Sequence, residues 1–129
     1  MFVHPKEIER VSMLSPKERY NYFLKRVADS EELYSLKNNV NEFIVSELEG
    51  NLLFPMWSAK EFAEISLVGG WENHKIILLN LDDLEEEVFD LIAKRNYLLN
   101  IFPVKEKTGF IVDLDEFARD LSDELKKYQ

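Results

Sequence analysis

Apolar residues recur every three or four positions through "SPKERYNYFLKRVADS", where Tyr20, Phe23, Leu24 and Val27 fall at i, i+3, i+4 and i+7. That spacing lays one apolar stripe along one face of a helix. Lys17, Arg19, Asn21 and Lys25 fall between these positions and are expected to face water. Ser15 offers an oxygen to the unpaired N–H groups of the first turn, Pro16 stands where a missing N–H does no harm, and Glu18 completes a capping box.

The period then shortens. "ELYSL", "EFIVS" and "LLFPM" are short apolar runs parted by "KNNVN" and "ELEGN", which predicts a three-stranded antiparallel meander. The second run alternates, with Phe43 and Val45 on one face and Ile44 on the other. Pro55, unable to donate to a ladder, marks its end of the third strand as an edge or as already leaving the sheet.

In "WSAKEF", Ser58 and Glu61 form a second capping box, and Trp57 and Phe62 stand where a hydrophobic staple would flank it. A helix is expected from Ala59 to about Val68, closed by a left-handed Gly69. "HKIILLN" predicts a buried strand. A helix follows through "LDDLEEEVFDLIAKRN", capped by Asn80 with Asp83 and showing Leu84, Val88, Leu91 and Ile92 to the core. "YLLNIFP" and "GFIV" flank "VKEKT" as a hairpin with Gly109 at its exit. Asp113 with Glu116 starts a last helix, whose stripe is Leu114, Phe117, Ala118, Leu121 and Leu125.

The fold class is therefore α+β, in the order α-βββ-α-β-α-ββ-α, with a mainly antiparallel sheet packed against helices. Residues 15–129 are expected to form a single domain. Residues 1–14 form either a short helix from Pro5, with Ile8 and Val11 on one side, or a loosely docked arm.

Composition removes several function classes. The chain of 129 residues has no cysteine, which excludes disulfides, thiolate chemistry and cysteine-held metals, and suits a reducing compartment. The opening residues have no apolar core of a secretory signal, and the longest apolar runs are only a few residues, so a cytoplasmic protein without membrane contact is expected. The net charge is −9, and residues 1–27 carry six Lys or Arg against three Glu, which leaves −12 for the remainder. An acidic body repels phosphate backbones and makes a nucleic-acid partner a poor expectation.

Candidate chemistry is sparse. His4 and His74 are remote from each other and lie in no metal-ligand spacing, so neither metal nor cofactor is expected. No nucleophile elbow or phosphate loop is present, and Gly69-Gly70 follows a helix where a phosphate loop would precede one. The abundant carboxylates fall in first turns, where capping and the helix dipole already account for them, and no catalytic residue is assigned. The aromatic residues near element ends, Tyr34, Trp57 and Trp71, together with His74, are the candidate ligand or partner contacts. Asp82, Asp83, Glu86, Glu87 and Asp90 form a candidate acidic docking surface.

Four stretches occur in succession: "SPKERYNYFLKRVADSEELYSL", "LFPMWSAKEFAE", "NLDDLEEEV" and "LLNIFPVKEKTGFIVDLDEFARDLSDEL". Together they resemble a bacterial family of small proteins catalogued as domain of unknown function 2750, from roughly Ser15 to Leu125, and the segment ahead of Ser15 is the departure. The resemblance implies no activity and brings no catalytic residue. The expected function is a non-enzymatic acidic protein-interaction domain with a basic protein partner. The alternative is a small-molecule or enzymatic pocket near Trp57, Trp71 and His74, and a homodimer is a further possibility.

Overall fold

The structure, a computed structural model, describes residues 3–128. Helix α1 (Pro5–Ser12) leads into α2 (Pro16–Ser30), β1 (Glu32–Lys37), β2 (Ser46–Leu48), β3 (Asn51–Met56), α3 (Lys60–Glu64) and β4 (Lys75–Asn80). A continuous helical segment follows, made of α4 (Leu81–Asp83), a π-helical turn (Leu84–Val88) and α5 (Phe89–Arg95). Strands β5 (Leu98–Ile101) and β6 (Phe110–Val112) and helix α6 (Leu114–Lys126) complete the fold. Sheets packed against helices in this order make it an α+β protein.

Three helix starts follow the local rules. The Ser15–Glu18 box closes in both directions at 3.2 and 3.0 Å, and so does Asn80–Asp83 at 2.8 and 2.9 Å. Asp113 accepts from Glu116 N–H at 2.8 Å. Of residues 1–14, Pro5–Ser12 form a helix, and residues 1 and 2 lie outside the described residues; His4 Nδ1 accepts from Lys6 N–H at 3.1 Å, and Val3 and Val11 reach the core.

The strands pair differently from the expected meander. β1 pairs antiparallel with β4, and a separate sheet runs β2-β3-β5-β6, with β3 and β5 parallel. Of "EFIVS" only Ser46 enters β2. Local alternation identifies strands but not partners, and β3 reaches its parallel neighbour only through the crossover from Trp57 to Tyr97. The two sheets meet at an antiparallel bridge between Tyr34 and Trp57.

Pro55 lies inside the β3–β5 ladder, opposite Asn100, but β2 stops pairing at Leu53. On the vacated side the Ser35 hydroxyl donates to Pro55 O at 2.7 Å, so the residue that lacks an N–H sits where no strand asks for one.

The second expected box does not form. The backbone stays extended through Ala59 (φ −149°, ψ 153°), Ser58 Oγ is buried without a hydrogen-bond partner among the described residues, and Glu61 accepts from Val3 N–H at 3.1 Å. The Tyr34 bridge holds Trp57 in strand geometry, which delays the helix by a residue. It ends at Glu64, short of Val68, and Gly69 (φ 62°) belongs to the loop beyond. Trp57 also packs edge-on against Trp71, with ring centroids 6.1 Å apart, while Phe62 meets Tyr22 and Phe102.

The core lies between the sheets and α2, α3, α5 and α6. Its largest side chains include Trp57, Tyr20, Phe23, Phe54, Phe62, Phe102 and Phe117, all within two per cent of full burial, each contributing on the order of 1.5–3 kcal/mol through burial. Tyr20 stacks on Phe110 with centroids 4.6 Å apart and donates to Asp120 at 2.6 Å.

Candidate functional site

The sequence-predicted residues separate in space. Trp57 is fully buried and Trp71 is half-buried against it. Tyr34 is half-buried on β1 and lines a cavity of about 20 Å³ with Arg26 and Ser58. Burial, then the nearby Glu32 and Glu61 carboxylates, push its hydroxyl pKa up. His74 stands at the entry to β4, its N–H bonded to Trp71 O at 3.1 Å. Asp82, Glu86, Glu87 and Asp90 are exposed along the α4 to α5 segment, while Asp83 is occupied by the Asn80 cap. Of these side chains, only the two tryptophan rings are brought face to edge.

The more organised feature is the segment between β5 and β6, residues 102–109. Phe102 (φ 64°) and Lys105 (φ 56°) both hold left-handed backbone, a conformation that costs a side-chain-bearing residue on the order of 1–2 kcal/mol. Four side chains, Arg19, Trp57, Ser66 and Asn100, all at most five per cent exposed, keep it there. From α2, Arg19 donates its Nε to Phe102 O at 3.0 Å. From the end of β3, Trp57 donates its Nε1 to Pro103 O at 2.8 Å. Beyond α3, the Ser66 hydroxyl donates to Pro103 O at 3.2 Å and accepts from Lys105 N–H at 3.0 Å. From β5, Asn100 Oδ1 accepts from Gly109 N–H at 2.8 Å.

These bonds explain the residue types. A buried carbonyl left without a donor is costly, so the polar side chains inside apolar elements are placed where the loop's backbone needs them. Burial pushes the Arg19 guanidinium pKa down. Arg19 was expected on the solvent face of α2 and is instead buried at five per cent exposure, because the Phe102 and Leu14 carbonyls lie above it. Gly109 is required by space, since a Cβ there would fall 2.1 Å from Ile101 O.

Held in this way, the tip turns back on itself, with Val104 and Lys107 exchanging both backbone bonds at 3.1 and 2.9 Å. Lys105, Glu106, Lys107 and Thr108 are exposed. A cleft of about 380 Å³ lies on one side, walled by Leu48, Val68, Trp71 and Asn100. A second of about 590 Å³ lies on the other, walled by Met13, Leu14, Ile65 and Val104. The lysines line both.

The sequence pattern marks this loop only as a hairpin connection. The available signals were Asn100 inside the apolar run "YLLNIFP" and Pro103 with Gly109 around the charged tip. Among the described residues, no group of three or more His, Asp or Glu is placed to hold a metal ion, and no helix is long and apolar enough to cross a membrane.

The fold and site define a small α+β protein whose loop between β5 and β6 is held by side-chain hydrogen bonds and lies between two clefts. Residues 20–121 match the family model described as "Protein of unknown function (DUF2750)", and the chain belongs to that family. No curated protein matches it.

Proposed function

We propose that this chain is a non-enzymatic, cytoplasmic protein-interaction domain, and that its principal contact face is the Phe102–Gly109 loop with its two clefts. The observation that carries this reading is the pinned, left-handed loop itself: strain of this kind persists only where surrounding structure enforces it, and it gathers at ligand clamps and binding sites. Exposed apolar side chains flank the loop, with Met13 81%, Leu48 42% and Val68 38% exposed on the cleft walls. Apolar walls around a polar tip suit a peptide segment that inserts an apolar side chain beside Trp71.

The test is capture from source-cell lysate by the full chain and by a Leu48→Glu, Val68→Glu double variant. Loss of a specific partner on substitution is expected, with little effect of salt. A partner retained by the double variant would contradict the assignment of this face.

A second reading places a basic protein partner on Asp82, Glu86, Glu87 and Asp90. It is favoured by the exposure of these carboxylates and by the fact that none of them takes part in an ion pair among the described residues. It predicts capture that fails at high salt and in a Glu86→Lys, Glu87→Lys variant. The first cleft, at about 380 Å³ with Trp71 in its wall, has a volume that also fits a small molecule. That alternative predicts a ligand-dependent change in tryptophan fluorescence.

A further inference from the structure

Among the described residues, the β1–β4 ribbon is paired through its main chain along one edge only. Tyr34 N–H donates to Trp57 O at 2.8 Å and Tyr34 O accepts from Trp57 N–H at 2.9 Å, while Leu36 O accepts from Ile44 N–H at 3.0 Å. Tyr34 and Leu36 therefore turn main-chain groups away from β4. Because antiparallel pairing alternates, Leu33, Ser35 and Lys37 turn theirs toward it, where they meet Leu79, Ile77 and Lys75. The other residues of β4, Ile76, Leu78 and Asn80, direct N–H and C=O groups outward.

The Asn80 N–H is taken by the Asp83 carboxylate at 2.9 Å. Those of Ile76 and Leu78, with their carbonyls, meet no backbone partner among the described residues. The strand carries Ile76, Ile77, Leu78 and Leu79 in succession without proline, and Leu78 is 50% exposed. Natural proteins interrupt such an edge with charge, proline or a bulge, or cover it. A two-stranded ribbon also gains most from added strands.

We propose that the β4 edge pairs with the same edge of a second copy of this chain, antiparallel about a two-fold axis through Ile77. The pleat and the open polar groups select this register. An axis normal to the sheet keeps each face on its own side, so residues of like parity must oppose one another. With the axis at Ile77, Ile76 opposes the copy's Leu78 and Leu78 opposes the copy's Ile76.

All the outward N–H and C=O groups of those residues are then paired, and the Asn80–Asp83 cap is untouched. The half-exposed Leu78 packs against Ile76 on the same face. With the axis at Leu78, Ile76 would instead face Asn80, whose N–H is already committed. The strand's one charged residue, Lys75, faces Leu79 across the axis, so no like charges meet within the new ladder. Each copy carries −9 overall, so this association strengthens as salt screens the mutual repulsion. A basic partner on the acidic helix shows the opposite trend.

The native chain contains no cysteine, which makes single-cysteine cross-linking a clean probe. The Cα atoms of a directly opposed, non-hydrogen-bonded pair lie about 4.5 Å apart, within disulfide reach. Under mild oxidation the Ile77→Cys chain is expected to form a covalent dimer, and Leu52→Cys, at a different exposed apolar site, is not. In sedimentation equilibrium the unmodified chain is expected to show a monomer–dimer equilibrium that tightens with salt, and Leu78→Lys, folded by circular dichroism, is expected to sediment as a monomer. A monomer at all concentrations would overturn the proposal. A dimer that Leu78→Lys leaves intact, or equal cross-linking at positions 77 and 52, would do the same.

Discussion

Trp57 donates its indole N–H to the Pro103 carbonyl at 2.8 Å, tying the end of β3 to a loop 46 residues further along the chain. The same residue bridges Tyr34 through its backbone, so a single position joins the two sheets and anchors the loop. Trp57→Phe keeps an aromatic ring in the core but removes the donor. A loss of about 1–3 kcal/mol is expected in urea unfolding. In hydrogen exchange, the Lys105 amide, held by Ser66, should exchange faster in the variant. Unchanged exchange there would show that the indole does not hold the loop.

The two glycines of the hairpins should behave differently. Gly109 sits against the Ile101 carbonyl, and the Cβ of Gly109→Ala meets backbone that cannot swing aside. A cost of at least about 2–3 kcal/mol is expected, in the range of overpacking that forces backbone shifts. Gly50 (φ 85°) has open space around it, so Gly50→Ala suffers only the left-handed conformation, about 1 kcal/mol. Thermal denaturation of the two variants decides the order.

Three serine and asparagine caps look alike in sequence, yet the structure divides them. Ser15→Ala and Asn80→Ala each remove a made side-chain cap and should cost about 1 kcal/mol. Ser58→Ala removes a buried hydroxyl without a hydrogen-bond partner and should lie within about 0.5 kcal/mol of the parent, or slightly above it in stability. Chemical denaturation of the three variants checks this directly.

That contrast shows what was legible. Ser15, Asn80 and Asp113 act within a few residues of themselves, and the helices they start lie where the spacing predicts. The order of elements was legible for the same reason. Ser58 fails because its neighbour Trp57 is claimed by Tyr34, a contact across 23 positions that no local pattern encodes. The meander fails likewise: β1 finds its partner in β4, beyond two other strands. At the loop, Arg19, Ser66 and Asn100 act on backbone groups 83, 37 and 9 residues away. Arg19 is even spaced as a solvent-facing residue, so its role appears only once α2 and the loop are brought together.

Alkaline pH should destabilise the protein. Burial first, and then hydrogen bonds to Asp120 and Glu7, raise the hydroxyl pKa values of Tyr20 and Tyr22 well above the ordinary tyrosine range. The folded state therefore keeps these protons after the unfolded state begins to lose them, near pH 10. Their contribution is complete below that pH and falls as pH rises from there toward the folded-state values. Tyr20→Phe and Tyr22→Phe should each be less stable at neutral pH, by about 1–2 kcal/mol, and lose less stability between neutral pH and pH 11 than the parent. A parent-like alkaline slope in both variants would remove these tyrosines as the cause.

The pinned loop is proposed as the contact face for a protein partner. Its most direct test is site-specific photo-cross-linking in source cells, with the photoreactive side chain placed in turn at Thr108 on the loop, Glu86 on the acidic helix and Ser122 on α6. A discrete protein adduct is expected from Thr108 and none from Ser122. No adduct from Thr108, or the same adducts from all three positions, would contradict it.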